Sequence, residues 1–161
     1  MNNYKISVSV IVGLFTFNVC AQNLVTNGHF DADISDWDYN SNNATWVNDE
    51  GAEISGDGSF RFGHVLNNNA YRWAASEPIS ITPAFVYEVA VSVKKPASSA
   101  ANYVGTQVYW FDVGDNLISE EFFTSNVTPL PEAVWLDTYA AVKAPENSVY
   151  ALIRWPLPVG A

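Results

Sequence analysis

Residues 86–94, VYEVAVSVK, alternate almost without error. Tyr87, Val89, Val91 and Val93 fall on one face and Glu88, Ala90, Ser92 and Lys94 on the other, which is the period of a half-buried strand. Further β-like runs are ATWV (44–47), SFRFGHV (59–65), YRWAAS (71–76), PISI (78–81), YVGTQVYWFDV (103–113), LISEEFFT (117–124), VWLDTYAAV (134–142) and VYALIRW (149–155). Turn formers separate them: Gly56-Asp57-Gly58, Asn67-Asn68-Asn69, Gly114-Asp115-Asn116 and Pro145-Glu146-Asn147. DVGDN (112–116) reads as a hairpin loop and KKPASSAAN (94–102) as a flexible one. In NLVTNGHFDADISDWDY (23–39), Leu24 and Val25 are expected to begin a first strand, Asn27-Gly28 to turn it, and Phe30 and Trp37 to anchor it in the core. Nowhere do ten residues hold a helical period with caps. Short strands at regular spacing without helices predict an all-β sandwich or barrel. There is no internal repeat, and no linker long enough to divide the chain in two.

The first residues follow a different pattern. Lys5 precedes an apolar run from Ile6 to about Val19, and Val19-Cys20-Ala21 supplies modest residues before Gln22. This is the layout of a secretory signal, so residues 1–21 are expected to be removed and the protein exported. Ser7, Ser9 and Asn18 interrupt the run, which is too short for a comfortable membrane span. A lipid-bearing Cys20 is disfavoured, since Phe17 and Val19 stand where lipoprotein signals want Leu and Gly or Ala. Cleavage after Ala21 leaves no cysteine, which excludes thiol catalysis, disulfides and thiolate metal sites from the mature chain.

The chain has 161 residues, 48% of them hydrophobic, enough for one domain with a sizeable core. Its formal charge is −10, and loss of Lys5 with the leader makes it −11. Phosphate-rich duplexes demand Lys and Arg, so nucleic acid is a poor partner, and anionic lipid and strongly anionic polysaccharide are disfavoured likewise. Aromatics are 14% of the chain, with six Trp, eight Tyr and nine Phe, while charged residues are only 15%.

Five pieces, in order, resemble one pattern. NLVTNGHFDADISDW is similar to the opening of secreted carbohydrate-binding modules of the family 4/9 type. SGDGSFRFG resembles their small-residue turn, PISITPAFVYEVAVSVK their turn and Tyr-led strand, and VYWFDVGDNLIS their aromatic-Asp hairpin. WLDTYAAVKAPENSVYALIRW resembles their Trp-led strand, Ala-Pro-Glu turn and penultimate strand. The resemblance covers most of residues 23–155. It implies a galactose-binding-like jelly-roll β-sandwich of two antiparallel sheets over residues 22–161, without catalysis of its own and appended to a glycoside hydrolase or polysaccharide lyase. It also implies a framework, core role for Trp135. The family's closing Asp-containing strand is absent, so a missing C-terminal strand and an open edge are expected.

Such modules imply a polysaccharide or oligosaccharide partner. Trp and Tyr stack on the C–H faces of sugars, amides, carboxylates and Arg bind the hydroxyl rim, and rigid rings cost little entropy on binding. The candidates are Trp46, Tyr71, Trp73, Tyr109, Trp110, Trp135 and Trp155, with Arg72, Gln107 and Arg154 nearby. A sandwich core competes for the same rings. In Arg72-Trp73 and Tyr109-Trp110, however, neighbours face opposite ways and cannot both be core. The family's opening turn also implies a structural Ca²⁺, whose oxygen donors would be Asp31 and Asn27, with Asp57 from a second loop. Against catalysis, Glu120-Glu121 and Asp49-Glu50 are adjacent rather than facing across a bond, and His29 and His64 lack a zinc or nucleophile motif. Two other roles remain open: a surface or adhesion spacer without a sugar site, and a small glycan-active enzyme.

Overall fold

The computed structural model describes residues 23–40, 44–48, 58–62, 72–94, 105–124 and 132–157. The expected leader, Cys20, Asp57, Tyr71, His64 and most of the 94–102 loop lie outside them.

All described elements are β-strands: β1 (Trp37–Tyr39), β2 (Ala44–Val47), β3 (Ser59–Phe62), β4 (Arg72–Ser76), β5 (Ile79–Ser80), β6 (Val86–Lys94), β7 (Gly105–Phe111), β8 (Leu117–Thr124), β9 (Trp135–Lys143) and β10 (Tyr150–Leu157). The expected all-β jelly-roll sandwich is what the chain forms. One layer is an antiparallel sheet in the order β1-β4-β10-β7-β8, with β5 also pairing β10. The opposing layer consists of two ribbons, β2-β3 and β6-β9. No helix among the described residues is long and apolar enough to cross a membrane.

Strand alternation decides which side chains fill the space between layers. On the large sheet these are Ala74 of β4, Val108 and Trp110 of β7, and Ala151, Ile153 and Trp155 of β10. The β6-β9 ribbon covers one part of this face through Val89 and Val142. At the other end, Phe30, Trp37 and Ala74 meet Trp46 and Phe60 of the β2-β3 ribbon. Trp37 stacks on Trp155 with centroids 4.3 Å apart at 19°, and Phe30 lies 5.4 Å from Trp37. Val25 and Trp155 pack against both clusters and join them.

The opening segment corrects one expectation and bears out another. Leu24 and Val25 are not in a strand, and the first strand is Trp37–Tyr39. Asn27 takes a left-handed φ of 49° and its carbonyl accepts the Trp37 indole N–H at 3.2 Å, so the segment turns back beneath Trp37. Phe30 and Trp37 are buried, as their spacing predicted. Phe30 also holds a left-handed φ of 53°, costly for a bulky residue. Burial of its ring and a 2.7 Å hydrogen bond from Trp46 Nε1 to its carbonyl hold it there.

The β7-β8 hairpin forms where DVGDN predicted it. Asp112 Oδ1 accepts from Gly114 N at 2.8 Å and from Asn116 N at 2.9 Å, while Asp115 takes φ 61°. These bonds favour the ionised carboxylate, and Asp112 titrates below its ordinary value, chiefly through Asn116.

Candidate functional site

The face of the large sheet turned away from the core carries the other half of each strand. Register places Arg154 of β10 between Ala75 of β4 and Gln107 of β7. Asp38 of β1 lies opposite Ala75, and Phe122 of β8 lies opposite Gln107. A single row therefore crosses five strands: Asp38, Ala75, Arg154, Gln107, Phe122. Trp73 flanks the row on one side, and Tyr109, with Glu120 opposite it, flanks the other.

Within this face the side chains converge. The Arg154 guanidinium lies 4.7 Å from the Trp73 ring centroid and 5.8 Å from that of Tyr109. Its Nη1 donates to the Tyr109 hydroxyl at 3.4 Å, and that hydroxyl donates to Gln107 Oε1 at 3.0 Å. Small neighbours make this possible, because Ala75 leaves room beside Arg154 for the diagonal Trp73 ring. The Trp73 strand is pinned from the edge, where Trp73 N donates to Asn40 Oδ1 at 2.8 Å. All four side chains are half-buried, so they are held in place yet still reached by solvent. The result is a fixed cation between two rings, with an amide at its side and carboxylates on the flanks. Such a surface presents flat apolar faces and directed hydrogen-bond groups together.

The expected site residues thus separate. Trp73, Tyr109 and Arg154 come together, and Gln107 joins them. Trp110 does not: it is 1% exposed, on the core side of β7, and cannot stack on a ligand. Its neighbour Tyr109 takes the outward face, as their adjacency required. Trp46 also lies apart. Its ring packs in the aromatic core cluster and its N–H serves the Phe30 carbonyl, an arrangement for which Gly58 is required, since a Cβ there would collide with Trp46 Nε1. Arg72 is in β4 opposite Leu157, and its side chain lies outside the described set. Trp135, expected in the core, instead faces outward from β9 opposite Lys94, whose ammonium sits 5.6 Å from the ring centroid. The exposed Phe122 was absent from the sequence-derived candidates; the period of β8 puts it on one side with Glu120, but only its pairing to β7 shows which side.

Of the expected Ca²⁺ donors, Asp57 lies outside the described residues, and Asn27 and Asp31 belong to the opening loop. Asn27 turns its amide nitrogen into its own loop, donating to Ser35 O at 2.8 Å and Asp33 O at 3.2 Å. Asp33, not Asp31, is the acid folded into this loop; it accepts from Ser35 Oγ at 2.6 Å and Ser35 N at 2.9 Å. Those bonds lower its pKa, the Ser35 hydroxyl contributing most. Asp31 is exposed. Among the described residues no three His, Cys, Asp or Glu gather as a metal site.

No family model matches the sequence, and no curated protein matches it. Solved structures do match its fold. The bacteriophage CBA120 tailspike protein 4 enzymatically active domain superposes with a TM-score of 0.61 at 16% identity, over 85% of this chain and 19% of its own length. A family 16 carbohydrate-binding module gives 0.56 at 16% identity, over 83% of this chain and 87% of the module. The CBM22-1–GH10 modules of Clostridium thermocellum xylanase 10B, complexed with xylohexaose, give 0.58 at 14% identity, over 81% of this chain and 25% of theirs. The chain therefore shares a β-sandwich fold with these proteins, and it spans about a fifth of the tailspike domain.

Proposed function

We propose that this chain is a carbohydrate-binding module that holds a polysaccharide or oligosaccharide non-covalently on the outward face of its large sheet. The observation that carries the reading is the convergence of Trp73, Arg154, Tyr109 and Gln107 on that face. Trp73 and Tyr109 offer ring surface to the C–H faces of sugars. Arg154 and Gln107, fixed by each other's partners, offer donors and acceptors to hydroxyls. Because their positions are set before the ligand arrives, little ordering entropy is lost on binding. A spacer without a sugar site would carry its outward aromatics singly; here two of them meet at one guanidinium. The sandwich shared with two carbohydrate-binding modules supports the same reading. A chain charge of −10 favours neutral glycans over polyanions.

In this reading the module is exported by its leader, adds no catalysis of its own and keeps an appended hydrolase or lyase on its substrate. Native affinity electrophoresis in gels containing xylan, mixed-linkage β-glucan or galactomannan, with pull-down on cellulose and chitin, tests it. At least one glycan is expected to retain the folded protein. Free passage through every gel, with no pull-down, would sink the proposal.

A further inference from the structure

We infer that Phe122 is a second stacking platform of this site, so that the ligand is a linear oligosaccharide running across the strands rather than a single sugar. This rests on the carbohydrate reading above. Phe122 is 55% exposed although it is an apolar ring in the middle of a strand's outward face. Its position has a specific cause. The ring lies against Gly105 of β7, where a Cβ would come within 2.5 Å of Phe122 Cε2 and 2.7 Å of Cζ. Glycine inside a strand costs about 0.5–1 kcal/mol relative to alanine; here it lets the ring settle on the β7 backbone with its other face to solvent.

That platform is continuous with the rest of the site. Phe122 lies opposite Gln107, which holds the Tyr109 hydroxyl, and Gln107 lies opposite Arg154. Adjacent strands are about 4.8 Å apart, so the step from β8 to β4 and its Trp73 is roughly 14 Å. One pyranose ring, comparable in size to one aromatic ring, cannot touch both ends. A chain of several sugars can, with Arg154 and Gln107 meeting the hydroxyls in between.

The competing account is that Phe122 only shields the Gly105 backbone, as aromatics paired with strand glycines do. Three variants separate the two. Phe122→Ala removes the ring. Phe122→Leu keeps apolar cover but loses the flat face. Gly105→Ala keeps the ring and displaces it. Calorimetric affinities would be measured for the hexasaccharide and disaccharide of whichever panel glycan retains the wild type, xylohexaose and xylobiose first, with urea midpoints confirming folding. All three variants are expected to lose hexasaccharide affinity by about tenfold, the scale of one aromatic stacking contact, with disaccharide affinity unchanged. A folded Phe122→Leu or Phe122→Ala protein with wild-type hexasaccharide affinity overturns the inference and leaves the carbohydrate reading standing. If no panel glycan binds the wild type, both fall.

Discussion

Tyr109 and Trp110 are consecutive residues with opposite environments, and the account stands or falls on that difference. Trp110 is 1% exposed, packed among Val108, Val142 and Ile153, with the Tyr87 ring 6.3 Å away. Replacing a buried Trp by Ala typically costs about 3–5 kcal/mol. Area gives a similar figure: burying roughly 150–250 Å² at about 25 cal/mol per Å² amounts to some 4–6 kcal/mol. For a domain of this size, a loss of that order lowers Tm by roughly 10 °C. Trp110→Phe should cost far less. The Trp110 indole N–H is buried without a partner among the described residues, so losing it removes a desolvation penalty of about 1–3 kcal/mol that offsets part of the lost contact. Tyr109→Ala loses the hydroxyl's bonds to Gln107 and Arg154 and a half-buried ring, about 1–2 kcal/mol, and should abolish most glycan binding. Urea denaturation followed by tryptophan fluorescence, beside affinity electrophoresis, reads both quantities. Equal urea midpoints for Trp110→Ala and Tyr109→Ala, or glycan affinity lost only in Trp110→Phe, would refute the assignment of faces.

Other consequences are smaller or more local. Trp46→Phe leaves the Phe30 carbonyl without the indole donor and should cost about 1–3 kcal/mol in urea denaturation, with glycan affinity unchanged. Arg154→Ala removes the cation held between Trp73 and Tyr109, and titration calorimetry should show affinity reduced about tenfold at near-wild-type stability. Asp112 and Asp33 both titrate below the ordinary value of 3.8, so the stability they confer is present above that value and is lost as pH falls through their lowered folded values. Urea midpoints measured from pH 5 to pH 2 should therefore fall less steeply in Asp112→Ala than in the wild type.

Much of the architecture is legible in alternation and turn residues. The runs ATWV, VYEVAVSVK and LISEEFFT are β2, β6 and β8 with unchanged bounds, because each is framed by turn formers, and VYEVAVSVK also alternates over its length. β1 is not legible. Trp37–Tyr39 sits in an Asn- and Asp-rich stretch and becomes a strand through pairing with β4. Conversely, Leu24-Val25 looks like a strand start but forms no strand, and Val25 instead packs against both core clusters ahead of the turn beneath Trp37. For the site, local sequence shows that Tyr109 and Trp110 diverge, but not which of them faces inward. The same ambiguity affects Phe122-Phe123. An aromatic stands on either face, and only Gly105, across the strand pair, shows which ring is turned outward. The aromatic excess also has two destinations. Trp37, Trp46 and Trp155 fill one end of the core, whereas Trp73 and Trp135 face outward, and composition cannot apportion them.

The central claim, that the outward face of the large sheet is the glycan surface, is tested most directly by the tryptophan indole N–H resonances in ¹H–¹⁵N NMR spectra. Each signal is assigned by single Trp→Phe substitution, and a binding oligosaccharide is then titrated in. The Trp73 signal is expected to move with saturation while those of Trp37, Trp46 and Trp110 stay in place. A shift confined to Trp135, or to the core tryptophans with Trp73 unmoved, would contradict it.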